Sequence, residues 1–230
     1  MKKITTIPRF SSAWFNLYDR LSILLLSVFF SLSLTAARII HSGTIDFLFL
    51  VWNLLLAIIP FIISSRLAKQ DRMEWNGRNI LMMTLWILFV PNSFYLVTDL
   101  FHLKDHFKEE AVPGWFDLAL IFSYAWNGLM IGLISVRQIQ KLTRNDFTVK
   151  FPLLFVYPVM WLNGMGIYIG RYLRYNSWDI VSNPFHLLHD SSQILLHPII
   201  YRNALGMVSC YSLFITLVYF TLLNLKKNFS

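Results

Sequence analysis

Six long apolar stretches constrain this chain more than any other feature. They are Leu21–Ile40, Phe47–Ser64, Ile80–Val97, Trp115–Val136, Phe151–Tyr168 and Ala204–Leu225. A hydrocarbon core of about 30 Å takes roughly 20 helical residues to cross. Inside lipid a span must satisfy its own backbone polar groups, which a helix does alone. The alternating ten-residue segments of a β-barrel are not seen. The expected fold is therefore all-α: a polytopic helical membrane protein of about six transmembrane helices. Composition agrees, with 56% hydrophobic and 14% charged residues, against about 25% charged in a soluble domain. The 20 Phe, 10 Tyr and 8 Trp exclude a disordered chain.

Orientation follows from the basic residues. Fourteen of the twenty Lys and Arg fall before the first span, in the loops after spans two and four, and after span six. The other six (Arg38, Lys104, Lys108, Arg171, Arg174, Arg202) fall on the opposite side. The positive-inside rule places both termini in the cytoplasm of a cell membrane. Eight of the twelve acidic residues lie outside, so the net charge of +8 divides into +10 inside and −2 outside. The charge is thus a topology signal that suits anionic lipid headgroups, and nucleic acid is not an expected partner. Residues 1–20 mix Lys and Arg with Ile4, Ile7, Phe10, Trp14 and Phe15, which fits a cytoplasmic basic segment on the membrane interface. Residues 21–230 read as a single six-helix domain without repeats or linkers. The first apolar run is longer than the 7–15 residues of a signal-peptide core, so a retained helix is expected.

The scarce polar residues near the spans gather on the predicted outer side, with all six histidines. Past Pro91, which should kink span three, Asn92, Tyr95, Asp99, His102 and His106 recur at steps of 3, 4, 3 and 4. On an α-helix that is one face, able to bind a metal, relay a proton or hold a polar substrate; the simpler reading is that Asn92 and Ser93 satisfy freed carbonyls while Asp99 and His102 begin a wet loop. In span four, Asp117 lies just inside the boundary, and an acid there is expensive unless it faces a partner or a cavity. Gly128 and Gly132 form a small-xxx-small pair suited to close helix contact. In the third cluster Asn163, Gly166, Gly170, Arg174 and Ser177 share a helical face, and Asn176, Trp178 and Asp179 follow. Arg171 and Arg174 stand against the charge bias. They either pair with Asp99, Asp117 or Asp179, or grip an anionic group. The stretch from Asn183-Pro184 to His197-Pro198 is too short to span and reads as an interfacial or re-entrant helix before the last span. Its histidines match no metal motif.

The first cluster, Phe89-Val90-Pro91-Asn92-Ser93-Phe94-Tyr95-Leu96-Val97-Thr98-Asp99-Leu100-Phe101-His102-Leu103, resembles a motif of a bacterial membrane family catalogued as domain of unknown function 1361. Trp115-Phe116-Asp117-Leu118 with Ser123-Tyr124-Ala125-Trp126-Asn127-Gly128, and the stretch from Gly166 to Asp179, are similar to its other motifs. The resemblance covers about residues 45–225. Typical members often carry Ala at the place of Ser93 and Thr near Asn127. The resemblance implies topology and site location, and brings no activity, metal or cofactor with it. The sequence has no P-loop, zinc-protease, serine-hydrolase or dinucleotide fingerprint. Three functions stay open. One is an enzyme on a lipid, lipid-linked sugar or envelope polymer, with Asp99, His102 and Asp117 as catalytic candidates. Asn92, Tyr95, Arg171, Arg174, Asn176, Trp178 and Asp179 would then bind an anionic or lipid-linked ligand. The others are a non-catalytic subunit or assembly factor, and a small transporter.

Overall fold

A computed structural model describes residues 17–70, 72–103, 112–143, 151–175 and 179–228. The described residues form helices and no strands. The order is α1 (Leu17–Ser42), α2 (Leu48–Leu67), α3 (Gly77–Tyr95), a 3₁₀ segment (Leu96–His102), α4 (Gly114–Leu142), α5 (Pro152–Arg171), a single turn α6 (Asp179–Ser182), α7 (Pro184–Leu196) and α8 (Arg202–Asn228). Six of these, α1, α2, α3 with its 3₁₀ extension, α4, α5 and α8, are long and apolar enough to cross a membrane. The end of the bundle where α1, α3 and α5 finish is called the distal end below.

Helix α4 is the hub. Its span is 72% buried, whereas the other spans bury a third or less and leave the rest for lipid. Small residues let α3 approach it. A Cβ on Gly128 would stand 2.5 Å from the Ser93 carbonyl oxygen, and one on Gly132 would stand 2.8 Å from the Phe94 ring. In lipid, where tails are as apolar as leucine, such close packing drives helix association.

Polar side chains join the spans as well. On α1, Ser27, Ser31, Thr35 and Arg38 recur at steps of 4, 4 and 3, which is one helical face. Asn127 of α4 donates to Ser31 Oγ (2.8 Å) and to Ser27 O (3.1 Å). Thr35 and Tyr124 share a 2.7 Å hydroxyl bond, and Arg38 pairs with Asp117. Pro60 interrupts the α2 hydrogen-bond ladder. Two carbonyls beside it accept from neighbouring helices: Ala57 O from Ser93 Oγ at 2.8 Å, and Pro60 O from Ser135 Oγ at 3.1 Å. Ser135 also accepts from Trp86 Nε1 at 2.7 Å.

Two expectations need correction. The α-helical face through Asn92, Tyr95, Asp99 and His102 does not continue as an α-helix, because the backbone tightens to 3₁₀ at Leu96. Residues three apart eclipse in that geometry, so Asp99 and His102 still share a side. The face proposed for Gly166, Gly170, Arg174 and Ser177 is cut short, since α5 ends at Arg171. Arg174 there adopts a left-handed conformation (φ 59°), and Tyr175 N–H reaches back to Ile169 O at 3.3 Å. The predicted interfacial helix is α7, thirteen residues and so about 20 Å long at 1.5 Å per residue, too short to span.

Candidate polar site at the distal end

Arg171, the last residue of α5, organises the site. It emerges beside the 3₁₀ segment, which presents Thr98, Asp99 and His102 to it. Nη2 donates to Asp99 Oδ1 at 2.8 Å, Nη1 to His102 Nε2 at 2.9 Å and Nε to Thr98 Oγ1 at 3.2 Å. The guanidinium also lies over the rings of Tyr95 (4.9 Å) and Phe101 (5.8 Å), where the ring quadrupole favours a cation. One planar cation thus ties three turns of one segment to the end of another helix.

The Arg171 donors fix the state of His102. A guanidinium only donates, so Nε2 of His102 accepts. The ring proton then sits on Nδ1 and the imidazole is neutral. Its ring packs tilted against the Phe49 ring, 4.9 Å between centroids. The second oxygen of Asp99 accepts from Asn53 Nδ2 at 3.0 Å. Asp99 is buried, while the Arg171 side chain is 15% exposed. The pair is closed on the carboxylate side and open on the guanidinium side.

Asp117 lies in a separate pair. Arg38 donates to it through Nε (2.9 Å) and Nη2 (3.5 Å), and both side chains are 2% exposed. Arg38 also reaches Thr44 Oγ1 at 3.4 Å and stacks 5.1 Å over the Phe47 ring. The two pairs are joined through aromatics, since Phe47 contacts Phe49 (6.2 Å between centroids) and Phe49 contacts His102.

Beside the Asp99–Arg171 cluster lies a cavity of about 450 Å³ between α2, α3, α5 and α7. That size falls in the usual range for small-molecule sites, about 300–1,000 Å³. Its walls are mostly apolar, including Trp52, Leu56, Leu88, Leu162 and Met165. Asn53, Asn92, Tyr95 and Tyr175 bring polar atoms to it. Asn53 and Tyr95 belong to cavity and cluster alike. Gly166 and Gly170 make the wall thin. A Cβ on Gly166 would strike the Pro91 ring, and one on Gly170 would stand 3.1 Å from the Tyr95 ring.

A family model described as "Protein of unknown function (DUF1361)" matches residues 52–218. The chain belongs to the DUF1361 family. No curated protein and no solved structure matches the chain. In this DUF1361 protein the matched segment holds the whole Asp99–Arg171 cluster except Phe49, together with the entire cavity. Arg38, the partner of Asp117, lies before it.

The residues singled out from sequence therefore separate. Tyr95, Asp99, His102 and Arg171 meet, and Asn92 lines the adjoining cavity. Asp117 pairs with Arg38 rather than with Arg171 or Arg174. Arg174 is exposed on its left-handed turn. Asp179 accepts from Ser182 Oγ at 3.1 Å within α6. Asn176, Trp178 and His106 lie outside the described residues. No group of three or more His, Cys, Asp or Glu is placed to hold a metal among the described residues. Sequence reasoning missed Asn53, Thr98, Phe49 and Phe101. Thr98 and Phe101 lie inside the motif that runs from Phe89 to Leu103, and Asn53 is the single amide within span two.

Proposed function

We propose that this protein binds a membrane-borne amphiphile at the extracytoplasmic end of its bundle. The hydrocarbon chain of the ligand occupies the apolar cavity, and its polar head meets Asn92 and Tyr95 with Arg171 behind. The observation that carries this reading is the continuity of an apolar cavity with a charged cluster through shared residues, Asn53 and Tyr95. A ligand that is half apolar and half polar fits such a site, and a wholly polar solute does not. The excess of basic residues at the opposite end supports the extracytoplasmic placement.

Within this reading the cluster orients a ligand rather than moving protons. A general base must lie within hydrogen-bond reach of the proton it removes, and Asp99 is buried. The basic nitrogen of His102 is taken by Arg171, and both Asp99 oxygens accept hydrogen bonds. Asp117 is sealed by Arg38 and takes no part.

The test uses the full chain in phosphatidylethanolamine/phosphatidylglycerol vesicles. They carry a small fraction of phosphatidylglycerol with a photoactivated diazirine in its acyl chain. Irradiation followed by peptide mass spectrometry should place adducts on cavity residues such as Trp52, Leu88 and Leu162. Filling the cavity by Leu88→Trp should remove them. Adducts confined to the outward faces of the spans, and indifferent to Leu88→Trp, would sink the proposal.

A further inference from the structure

Resting on that reading, we infer that α7 is a lateral lid: the ligand is a chain-bearing lipid that enters from the adjacent leaflet beneath its Pro184–Leu188 end, and the Tyr175–Asp190 hydrogen bond latches the lid shut.

Helix α7 has three faces. At 100° per residue, Leu187, Asp190 and Ile194 turn toward the bundle. Phe185, Leu188, Leu195 and Leu196 form an apolar side, and His186, His189 and Gln193 a polar one. A helix with an apolar face, a polar face and low net hydrophobicity lies in the membrane interface. Phe185 is 84% exposed and Leu188 66% exposed, which water would not favour and lipid would.

The lid is fastened unevenly. Ile194, near its C-terminal end, is buried against Met165, Ala204 and Val208. No other residue of α7 is fully buried. The N-terminal end instead covers space, since Pro184, Leu187 and Leu188 line the cavity. Leu188 faces the cavity and the surroundings at once, so it stands at the rim between them. Asn183 makes no side-chain cap at the N-terminus of α7, Pro184 is its first residue, and Pro198 lies two residues past its end.

One described side-chain bond crosses from α7 to the turn that follows α5: Tyr175 O–H donates to Asp190 Oδ2 at 2.8 Å. Tyr175 itself lines the cavity, so the latch lies at the mouth it closes. His189 Nδ1 touches the other oxygen of Asp190 at 3.2 Å. The hydrogen bond from Tyr175, then that from His189, holds the Asp190 carboxyl below the ordinary carboxylate range, which keeps the acceptor ionised. The left-handed turn at Arg174 brings Tyr175 to this position. An apolar wall behind a lid whose rim is itself apolar selects a ligand already dissolved in the bilayer over one arriving through water.

The experiment follows the same photolabelling in time. Wild type should label the cavity slowly. Asp190→Asn and Tyr175→Phe, which weaken or delete the latch, should each raise the initial rate several-fold, and Leu88→Trp should abolish cavity labelling. If the cavity labels and Leu88→Trp blocks it, but both latch variants label at the wild-type rate or slower, the lid is refuted and ligand binding stands. If wild type shows no cavity adduct, or Leu88→Trp leaves it unchanged, ligand binding itself is refuted and the lid falls with it.

Discussion

Removing one partner of the Arg38–Asp117 pair should be among the most damaging changes available in this protein. Both side chains are 2% exposed and their contact is 2.9 Å. Truncating one leaves the other charged and sealed from water. The expected loss for breaking such a pair is about 3–5 kcal/mol. Arg38→Met and Asp117→Leu, made singly, should each fall in that range. Made together they leave no buried charge, and the double variant should return to within about 1 kcal/mol of wild type or exceed it, since well-packed apolar replacements are often neutral or stabilising. The contacts of Arg38 with Thr44 and Phe47 are lost in the single and the double variant alike, so they cancel from the comparison of Arg38→Met with the double variant. The assay is equilibrium unfolding in mixed micelles of dodecyl maltoside and dodecyl sulfate, followed by circular dichroism. Single variants costing under about 1 kcal/mol would mean that the pair behaves like an exposed one. A double variant as damaged as the sum of the singles would mean that the charges do not compensate each other. Either result would refute the reasoning.

Four further outcomes are expected. Gly128→Ala should cost about 1–3 kcal/mol in the same unfolding assay, because its Cβ would stand 2.5 Å from the Ser93 carbonyl oxygen; an unchanged midpoint would mean that α3 and α4 yield freely. Arg174→Gly should stabilise by about 1 kcal/mol by removing the penalty for an L-residue at φ 59°, and a loss of stability would show that the Arg174 side chain carries more than the turn. Arg171→Lys should reduce cavity photolabelling despite keeping the charge, since an ammonium cannot hold Asp99, His102 and Thr98 in the geometry of a guanidinium; wild-type labelling in this variant would count against a positioned head group. The latch should hold from pH 8 to pH 5. The Asp190 carboxyl is lowered, so its contribution is complete above the ordinary value of about 3.9 and is lost only as pH falls through the lower folded value. A labelling rate that climbs between pH 8 and pH 5 would contradict this.

The spans were legible because lipid imposes a length and an apolar composition that hardly any other environment requires. Their ends were less so. The apolar run of span four stops at Val136, yet α4 continues to Leu142, because Gln138, Gln140 and Lys141 are good helix formers that hydropathy counts against a span. Gln138 and Gln140 are also engaged, with Ser64 and Tyr219. The outcome for Arg171 and Asp99 was among the readings of two arginines standing against the charge bias. The Arg38–Asp117 pair was not, because nothing in local spacing relates residues 79 positions apart. The cavity was invisible for the same reason. It is made by four helices, and its apolar walls carry the same residue types as any lipid-facing surface.

The separation of Arg38 from Asp117 bears on how the chain is made. Synthesis proceeds at about 5–20 residues per second, so the 79 positions between them correspond to a wait of about 4–16 s. During that interval α1 carries a guanidinium near its distal end without the carboxylate it pairs with in the finished bundle. An arginine near a helix end can extend its head toward the interface and keep it hydrated, so α1 is tolerable alone. Helix α4 is less so, because it brings Asp117 and Asn127 with it. Two helices that each bring a charge to the membrane thus complete each other, and α1 must wait at the membrane for its partner before the bundle can close.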